Sequence, residues 1–285
     1  LAEFPSCSRI FKEAFEAIYP RSRLFRGSRI YFLKNKIIPD ETFTISYMNV
    51  MNGKQRTAIQ ISGSKYSNGA AVIGKKIYFC GGYSVSDTED EHWNHLRMFD
   101  CESNTLRTVC RMPIEGNWRV MAMTALNDIL YVSGGVGDSG TPYSNVFQYF
   151  PDTNTWTEVQ RMNNGRFWHK LITLNGKIHA IGGRNTGTIE CYNPDTKEWN
   201  YVTKLERNYN HLSCTSHHNK LYVLNDDKFR VYDPELKTWK DLPGRSNGFR
   251  PQLISINNKL LLICCGDGVR SECCNTLFEF NTIDN

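Results

Sequence analysis

Short apolar runs recur along the chain, and each run is ended by glycine or by polar residues. Runs of this length that are rich in Ile, Tyr and Val and are stopped by glycine are typical of β-strands. Weaker copies of the run end at Asn35, Asp226 and Cys265. The strongest copies end in a diglycine, which is Gly81 and Gly82 after "KKIYFC", Gly134 and Gly135 after "DILYVS", and Gly182 and Gly183 after "GKIHAI".

A second pattern follows each run at a constant spacing. A tyrosine is followed seven residues later by a tryptophan, in the pairs Tyr149 and Trp156, Tyr192 and Trp199, and Tyr232 and Trp239. Phe99 and Leu106 keep the spacing with other residue types. The residues between the two members are turn formers such as "NPDT" and "DPEL", so the pattern predicts two antiparallel strands joined by a turn.

Together the two patterns predict a repeated unit of four strands. One such sheet cannot bury both of its faces, whereas several sheets arranged radially can, as in a β-propeller. The diglycine lets backbones approach where a side chain would collide, and the Tyr and Trp rings fill the space between neighbouring units. The chain is therefore predicted to be all-β. Six four-stranded antiparallel blades are the main prediction, and five blades are the alternative.

Diglycine, Tyr and Trp at constant offsets resemble the kelch repeat, and the resemblance covers residues 29–285. Two departures mark the ends, because the first unit begins at its second strand and the last one stops before its Trp strand. We expect these two blades to be the least stable, since propellers usually share strands to close. The expected blades are 29–63, 64–113, 114–163, 164–205, 206–243 and 244–285.

The segment before the first unit, residues 1–28, is expected to be a short helix and a linker. In "SRIFKEAFEAIYP" the apolar residues fall on one helical face, and Pro20 follows, which ends a helix. The join of helix, Arg-rich linker and first strand resembles the end of a BACK domain in the BTB/BACK/kelch family. The degenerate outer units and the Ile-, Asn- and Lys-rich character resemble the poxvirus kelch-like proteins, which implies a viral protein that acts on its host.

Composition excludes several classes of function. The net charge is only +5 over 285 residues and no run of Lys or Arg is dense, so no nucleic-acid partner is predicted. No apolar run reaches membrane-spanning length, so no membrane partner is predicted. The ten cysteines follow no secreted pattern, and several lie inside strand-like runs. A reducing, cytoplasmic location is expected.

No constellation of residues predicts catalysis. His92 and His95 beside an acidic run have a spacing that can bind zinc, but they lie in a long polar loop, and no metal is predicted. Cys264, Cys265, Cys273 and Cys274 are interpreted as strand filler. Because no catalytic motif is present, we expect a protein that is not an enzyme and needs no cofactor. A kelch enzyme that acts on a sugar and an actin-binding kelch protein remain alternatives.

The resemblance implies that a partner protein binds two sets of loops, those after the diglycine and those before the innermost strand. In this chain the candidates are Tyr83, Arg184, Asn185 and Asp227 in the first set, and Trp118, Arg119, Arg166, Trp168, Tyr209, Asn210, Phe249 and Arg250 in the second. Trp, Tyr and Arg carry much of the energy of interfaces, and Arg pairs well with carboxylates. The aromatic residues fit packing between blades equally well, whereas the arginines are expected to be exposed.

The stretch "GRFWHK" combines these candidates. If it is strand, Phe167 and His169 face one side and Trp168 faces the other, and Arg166 lies in the loop as the better contact. The expected function is a protein-binding module, the part of a cullin-type ubiquitin ligase adaptor that recruits the target, with an acidic motif on that target. The BTB region that engages a cullin in such adaptors is absent from this chain.

Overall fold

The fold was analysed in a computed structural model that describes residues 29–36, 42–49, 55–62, 64–65, 69–81, 83–84, 94–115, 118–206, 208, 212–225, 228–243, 252–256, 259–264 and 276–280. Every regular element among these residues is a β-strand, so the all-β prediction is confirmed for them. The described residues contain no helix that is long and apolar enough to cross a membrane. The helix expected before residue 28 lies outside the described part.

The strands vary from two to eight residues in length. In chain order they are β1 (Arg29–Lys36), β2 (Thr42–Asn49), β3 (Gln55–Ser62), β4 (Ser64–Lys65), β5 (Ala70–Ile73), β6 (Lys76–Cys80), β7 (Tyr83–Ser84), β8 (His95–Asp100), β9 (Thr105–Arg111), β10 (Ala122–Leu126), β11 (Ile129–Ser133), β12 (Val146–Phe150), β13 (Thr155–Val159), β14 (Lys170–Leu174), β15 (Lys177–Ile181), β16 (Thr188–Asn193), β17 (Glu198–Lys204), β18 (Ser213–His217), β19 (Lys220–Leu224), β20 (Phe229–Asp233), β21 (Thr238–Leu242), β22 (Gln252–Ile256), β23 (Lys259–Cys264) and β24 (Thr276–Phe280).

The described strands form several antiparallel sheets of the predicted four-stranded kind. These are β5-β6-β8-β9, β10-β11-β12-β13, β14-β15-β16-β17 and β18-β19-β20-β21. Two further sheets, β1-β2-β3 and β22-β23-β24, have three described strands, and β4 pairs with β7. Such sheets are consistent with a kelch propeller, while the number of blades and their boundaries stay predictions.

The chain divides into two compact units. The first comprises Leu1–Lys36, Phe43–Ile61 and Ser213–Asn285, and the second comprises Ile37–Thr42 and Ser62–Leu212. Within the second unit the first strands of three successive sheets, β5, β10 and β14, lie side by side. Within the first unit β18 and β22 do the same.

Tight turns explain the seven-residue spacing of Tyr and Trp. In the sheet β10-β11-β12-β13, Tyr149 lies directly opposite Trp156 across the hairpin, and Phe150 pairs with Thr155. The turn between them is four residues long, and Asn154 takes a φ of 53° there, a conformation that Asn tolerates well. The same register places Tyr192 opposite Trp199, so the spacing is the signature of one hairpin geometry.

Aromatic residues fill the space between neighbouring sheets of the second unit. The rings of Tyr149 and Trp156 lie 4.9 Å apart. Tyr149 also contacts Tyr78 of the preceding sheet at 6.4 Å, and the Trp156 indole N–H donates to the Sγ of Cys110 at 3.2 Å. The next sheet repeats this arrangement, because Trp199 donates to the backbone oxygen of Gln160 at 2.9 Å. The core of this unit therefore lies between sheets, as the sequence predicted.

The diglycines let the loops approach the sheet closely. Gly134 has a φ of 62°, and a Cβ built on it would overlap the backbone oxygen of Arg166. Gly135 has a φ of 103°, and its Cβ would lie 2.9 Å from the backbone oxygen of Arg119. Both glycines are therefore required by contacts as well as by conformation. Gly82 lies outside the described residues.

We predict that Gly134→Ala destabilises the protein more than Gly176→Ala does. Gly176 has a similar φ of 68° but open space where its Cβ would lie, so it isolates the conformational penalty of about 1 kcal/mol. Gly134→Ala adds a collision with backbone, for a total of about 2–4 kcal/mol. Urea unfolding measures both values, and equal losses for the two variants would contradict the close approach.

Candidate functional site

Two neighbouring loops of the second unit bring most of the described candidate residues together. We call residues 163–169, which precede β14, the leading loop, and residues 182–187, which follow β15, the trailing loop. The backbone N–H of Arg184 donates to the oxygen of Phe167 at 3.1 Å, which joins the two loops. On its other side, the leading loop accepts a 2.7 Å hydrogen bond from Gly135 to the oxygen of Arg166.

Arg166 lies at the centre of this arrangement and is fully buried, with 0 % of its surface exposed. Its guanidinium donates to the backbone oxygens of Gly182 at 2.8 Å and Thr188 at 2.7 Å. It also donates to the Thr188 hydroxyl and to Oε1 of Glu190, both at 2.6 Å. The side chain therefore connects the leading loop with the trailing loop and with the start of β16.

Glu190 is the buried partner of this arginine. Its carboxylate accepts hydrogen bonds from the backbone N–H groups of Asn163 at 2.7 Å and Asn164 at 3.1 Å, and from the Asn164 amide at 2.8 Å. Burial by itself would raise the pKa of Glu190, but the hydrogen bonds from Arg166 and Asn164 outweigh it and leave the pKa below its ordinary value. The carboxylate therefore remains ionised and ties down the start of the leading loop.

The expectation that Arg166 is exposed and contacts a partner is wrong. A buried arginine is costly only when it is unpaired, and this one has an ion pair and three further hydrogen bonds. Its role is inside the protein, where it holds two loops together. Removing Glu190 alone would leave a buried positive charge, which costs about 3–5 kcal/mol in comparable cases.

The strand alternation expected for "GRFWHK" does not apply, because residues 165–169 precede the strand, although Trp168 and His169 do lie on opposite sides. The strand β14 begins at Lys170, and Trp168 has a φ of 55° instead of an extended conformation. Its side chain is 39 % exposed. The Arg184 guanidinium lies over its ring at 5.2 Å from the centroid, and the Phe167 ring lies at 5.5 Å.

His169 points inward from the same loop. Its Nε2 lies 2.8 Å from the hydroxyl of Ser133, and the ring is buried. Burial, together with the neighbouring positive charges of Arg166 and Lys170, lowers the pKa of His169 to about 3. The imidazole is therefore neutral near pH 7 and serves as a packed core group.

The preceding repeat places its candidates differently. Trp118 is buried and stacks on Tyr143 with 4.0 Å between ring centroids and 12° between planes, so for this residue the packing interpretation holds. Arg119 is partly exposed and pairs with Asp138 at 3.3 Å. Its backbone bridges to Val136 in both directions at 2.9 Å.

The remaining candidates fall into two groups. Asn185 is exposed, and its amide donates to the oxygen of Gly165 at 2.7 Å, which adds another link between the loops. We call Phe167, Trp168, Arg184 and Asn185 the Trp168 surface. The other candidates lie outside the described residues or, for Tyr83, have an undescribed side chain: Tyr83, Tyr209, Asn210, Asp227, Phe249 and Arg250.

The described residues contain no cluster of His, Cys, Asp and Glu that could hold a metal ion. His92 and Cys265, Cys273 and Cys274 lie outside the described part, and Cys264 ends β23. Cys80 is buried in a strand, and burial raises the pKa of its thiol to about 12. This thiol is protonated near pH 7 and behaves as a small hydrophobe.

Sequence reasoning missed Glu190 and Asp138, the two carboxylates that pair with candidate arginines. The repeat itself contains a pattern that identifies Glu190. Arg166 lies four residues before its first strand, and Glu190 lies two residues before the repeat's Tyr. In the preceding repeat the same positions hold Trp118 and Phe147. A charged pair where the neighbour has an aromatic pair indicates that the two positions touch.

Comparison with known families agrees with this architecture. Residues 49–267 match the family described as the FKB95 kelch-repeats domain. This chain belongs to the kelch-repeat family. The chain also resembles the solved structure titled "Structure of YjhT", with a TM-score of 0.59, 16% identity and coverage of 71% of this chain and 73% of that one. At that identity the likeness shows the fold alone.

Curated relatives include two kinds of kelch protein. A putative F-box/kelch-repeat protein of Arabidopsis thaliana is 29% identical over 70% of this kelch-repeat chain and 60% of its own length. Mouse kelch-like protein 15 is 26% identical over 60% of this chain and 33% of its own length, and human kelch-like protein 6 is 31% identical over 38% and 17%. The matches thus span between about a sixth and three fifths of these relatives. They indicate a protein-interaction module.

We predict that the stability of this kelch domain falls as the solution is acidified, because its buried histidines resist protonation. The pKa of His169 lies at about 3 and that of His179, also lowered by burial, at about 4. Between about pH 6 and pH 5 the unfolded state binds protons that the folded state does not. Each histidine should therefore cost about 1 kcal/mol over this interval.

Urea unfolding at about pH 6 and at about pH 5 measures this acid-induced loss of stability. His169→Gln should remove about 1 kcal/mol of the acid-induced loss, and His179→Gln, as the matched variant, should remove a similar amount. Glu190 contributes little in this interval, since its lowered pKa moves its own loss to more acidic solution. An unchanged pH dependence in both variants would show that the histidines are not the cause.

Proposed function

We propose that this kelch chain is a protein-binding module, not an enzyme, and that it recognises a target protein through the Trp168 surface. The observation that supports the proposal is the contact between Trp168 and Arg184. An aromatic side chain that is 39 % exposed has an arginine over its ring at 5.2 Å. Trp and Arg are the residue types that contribute most binding energy in protein interfaces.

The chemistry of the surface favours an acidic motif on the target. Arg184 is exposed and makes no salt bridge among the described residues, so its guanidinium is available to a carboxylate. The planar guanidinium binds carboxylates through two parallel hydrogen bonds. Asn185 and Phe167 add a polar and an apolar contact beside it. Arg119, which is paired with Asp138 on the protein surface, is a second cation in the neighbouring repeat.

Affinity capture from cytosol tests the proposal. Proteins captured by the wild type should be reduced about tenfold or more by Trp168→Ala and by Arg184→Ala, which corresponds to about 1.4 kcal/mol of binding free energy or more. Tyr201→Ala is the matched control, since Tyr201 is a 59 % exposed aromatic on the outer strand β17 of the same sheet. An identical set of proteins bound by all four chains would overturn the assignment.

The salt dependence of binding tests whether a carboxylate of the target pairs with Arg184. Binding through an exposed arginine should weaken when the salt concentration is raised, because the charges are screened over about 8 Å at physiological ionic strength. Replacing the acidic residues of the captured target with amides should have the same effect. Co-sedimentation with actin that does not depend on Trp168 or Arg184 would favour the cytoskeletal alternative instead.

We also propose that the target is recruited for ubiquitylation by a cullin-type ligase in the cytoplasm, through a BTB region outside this kelch chain. This proposal rests on the resemblance to the BTB/BACK/kelch family and on kelch-like proteins among the relatives. The ubiquitylated fraction of the captured target should rise when the full-length protein is expressed. It should stay at its background level when the full-length protein carries Trp168→Ala. If the ubiquitylated fraction rises with both forms, ubiquitylation of the target does not depend on the Trp168 surface.

A further inference from the structure

We propose that Arg166 and Glu190 are positioning residues that hold Trp168 and Arg184 in contact, and that this buried pair sets the affinity of the Trp168 surface for its target. The inference rests on the proposed function. The new element is that a buried ion pair, which is not exposed to a partner, holds the residues of this surface in place. The juxtaposition that carries it is a fully buried guanidinium that bridges two loops whose outward residues are stacked on each other.

The backbone of Trp168 adopts a conformation that its surroundings must hold in place. A φ of 55° is unfavourable for a bulky side chain, and it persists only where the surrounding structure enforces it. Burial constrains this residue only in part, because 39 % of its surface is exposed. A backbone hydrogen bond from Trp168 to the oxygen of Val120 is long, at 3.3 Å. Further restraint comes from the residues on either side of Trp168.

The buried pair provides that restraint from two directions. Glu190 fixes the beginning of the leading loop through Asn163 and Asn164. Arg166 fixes its middle, two residues before Trp168, by hydrogen bonds to Gly182 and Thr188. Hydrogen bonds of this kind are directional and shorter than those between neutral groups. The chain between these anchors and β14 has little freedom left.

The same pair positions the other member of the contact. Gly182, which accepts from Arg166 at 2.8 Å, lies two residues before Arg184. Thr188, which accepts through both its backbone and its hydroxyl oxygen, lies at the other end of the trailing loop. Arg166 therefore holds both ends of the loop that presents Arg184. Together with the hydrogen bonds from Arg184 to Phe167 and from Asn185 to Gly165, this guanidinium restrains the separation of Trp168 and Arg184.

The preceding repeat shows what an apolar pair does at these positions. Trp118 and Phe147 occupy the equivalent sites, with ring centroids 6.0 Å apart. Rings fill the space, but they donate no hydrogen bonds to a trailing loop, and apolar packing is not directional. The residue equivalent to Trp168 there is Val120, which has the same φ of 55°. The charged pair is therefore not needed for this backbone conformation, and what it adds is the placement of the trailing loop. The charged pair thus occurs in the repeat that presents an exposed aromatic–arginine contact.

The test replaces the pair as a unit. Arg166→Met combined with Glu190→Leu removes the hydrogen bonds while leaving no unpaired buried charge, an exchange that is often neutral for stability. The matched control is Arg161→Met combined with Glu158→Leu, which changes an exposed 3.0 Å ion pair in the neighbouring sheet. The Tm of both double variants should stay within about 4 °C of the wild type.

Fluorine NMR of protein labelled with fluorotryptophan provides a readout that needs no target. The chain has six tryptophans, and the resonance of Trp168 is assigned by its loss in Trp168→Phe. In the buried-pair variant this resonance should shift and its solvent isotope effect should increase, because the ring loses Arg184. The resonance of Trp199, assigned in the same way with Trp199→Phe, should keep its position. In the control variant the resonance of Trp168 should be unchanged.

Target binding by the same proteins completes the test. The buried-pair variant should bind the captured target about tenfold more weakly or worse, and the control variant should bind it as the wild type does. An unchanged Trp168 resonance in a folded buried-pair variant would overturn the positioning role. A shifted resonance with unchanged binding would leave positioning intact and overturn the proposed function of this surface.

A second variant keeps the test decisive if the first one does not fold. Arg166→Lys retains the charge next to Glu190 but lacks the fork that reaches Gly182 and Thr188 together. It should displace the Trp168 resonance in the same direction and weaken target binding, with a smaller loss of Tm than Arg166→Met alone. A wild-type spectrum from Arg166→Lys would show that charge alone, and not the bridge between loops, is sufficient.

Discussion

The buried ion pair of Arg166 and Glu190 is the interaction on which the described surface depends. Two charges taken out of water gain little net stability, since desolvation offsets most of their attraction. The contribution of the pair is geometric: one planar guanidinium, carried by the leading loop, reaches the Glu190 carboxylate, Gly182 and Thr188 at once, with hydrogen bonds of 2.6–2.8 Å.

Rigid hairpins make this arrangement possible. The first two strands of the repeat are joined by a two-residue turn in which both residues have positive φ, for example Asn175 at 52° and Gly176 at 68°. The last two strands are joined by a four-residue turn that sets Tyr192 opposite Trp199. Both turns lie at the end of the sheet opposite the leading and trailing loops. The register is therefore fixed away from the loops, which leaves their sequence free to vary.

The sequence predicted the frame of each repeat better than its surface. The spacing of Tyr149 and Trp156 predicts the register of one hairpin, and the diglycines predict a close approach of backbones. Both predictions agree with the described sheets. Arg166 is buried because it pairs with Glu190, which is 24 residues away along the chain. The residue types of the loop alone therefore predicted the wrong exposure for Arg166. The strand begins at Lys170, and the positive φ of Trp168 just before it has no local sequence signal. The resemblances to a BACK domain and to poxvirus proteins, and the candidates in undescribed segments, stay predictions.

The internal repeat offers a way to find such residues that composition does not. Four residues before the first strand, successive repeats carry Tyr66, Trp118, Arg166 and Tyr209, and two residues before the aromatic of the third strand they carry Arg97, Phe147, Glu190 and Arg230. In the two repeats whose side chains are described at both positions, the two columns change together, because side chains that touch must match in charge and volume. Where the pair is aromatic, as in Trp118 and Phe147, it contributes to the core. Where the pair is ionic, as in Arg166 and Glu190, it can connect two loops, because the guanidinium has several N–H donors and can bond several oxygens at once. In these two described repeats, the position that connects the sheet to the surface loops is thus the one at which the chemistry differs while the place in the repeat stays the same.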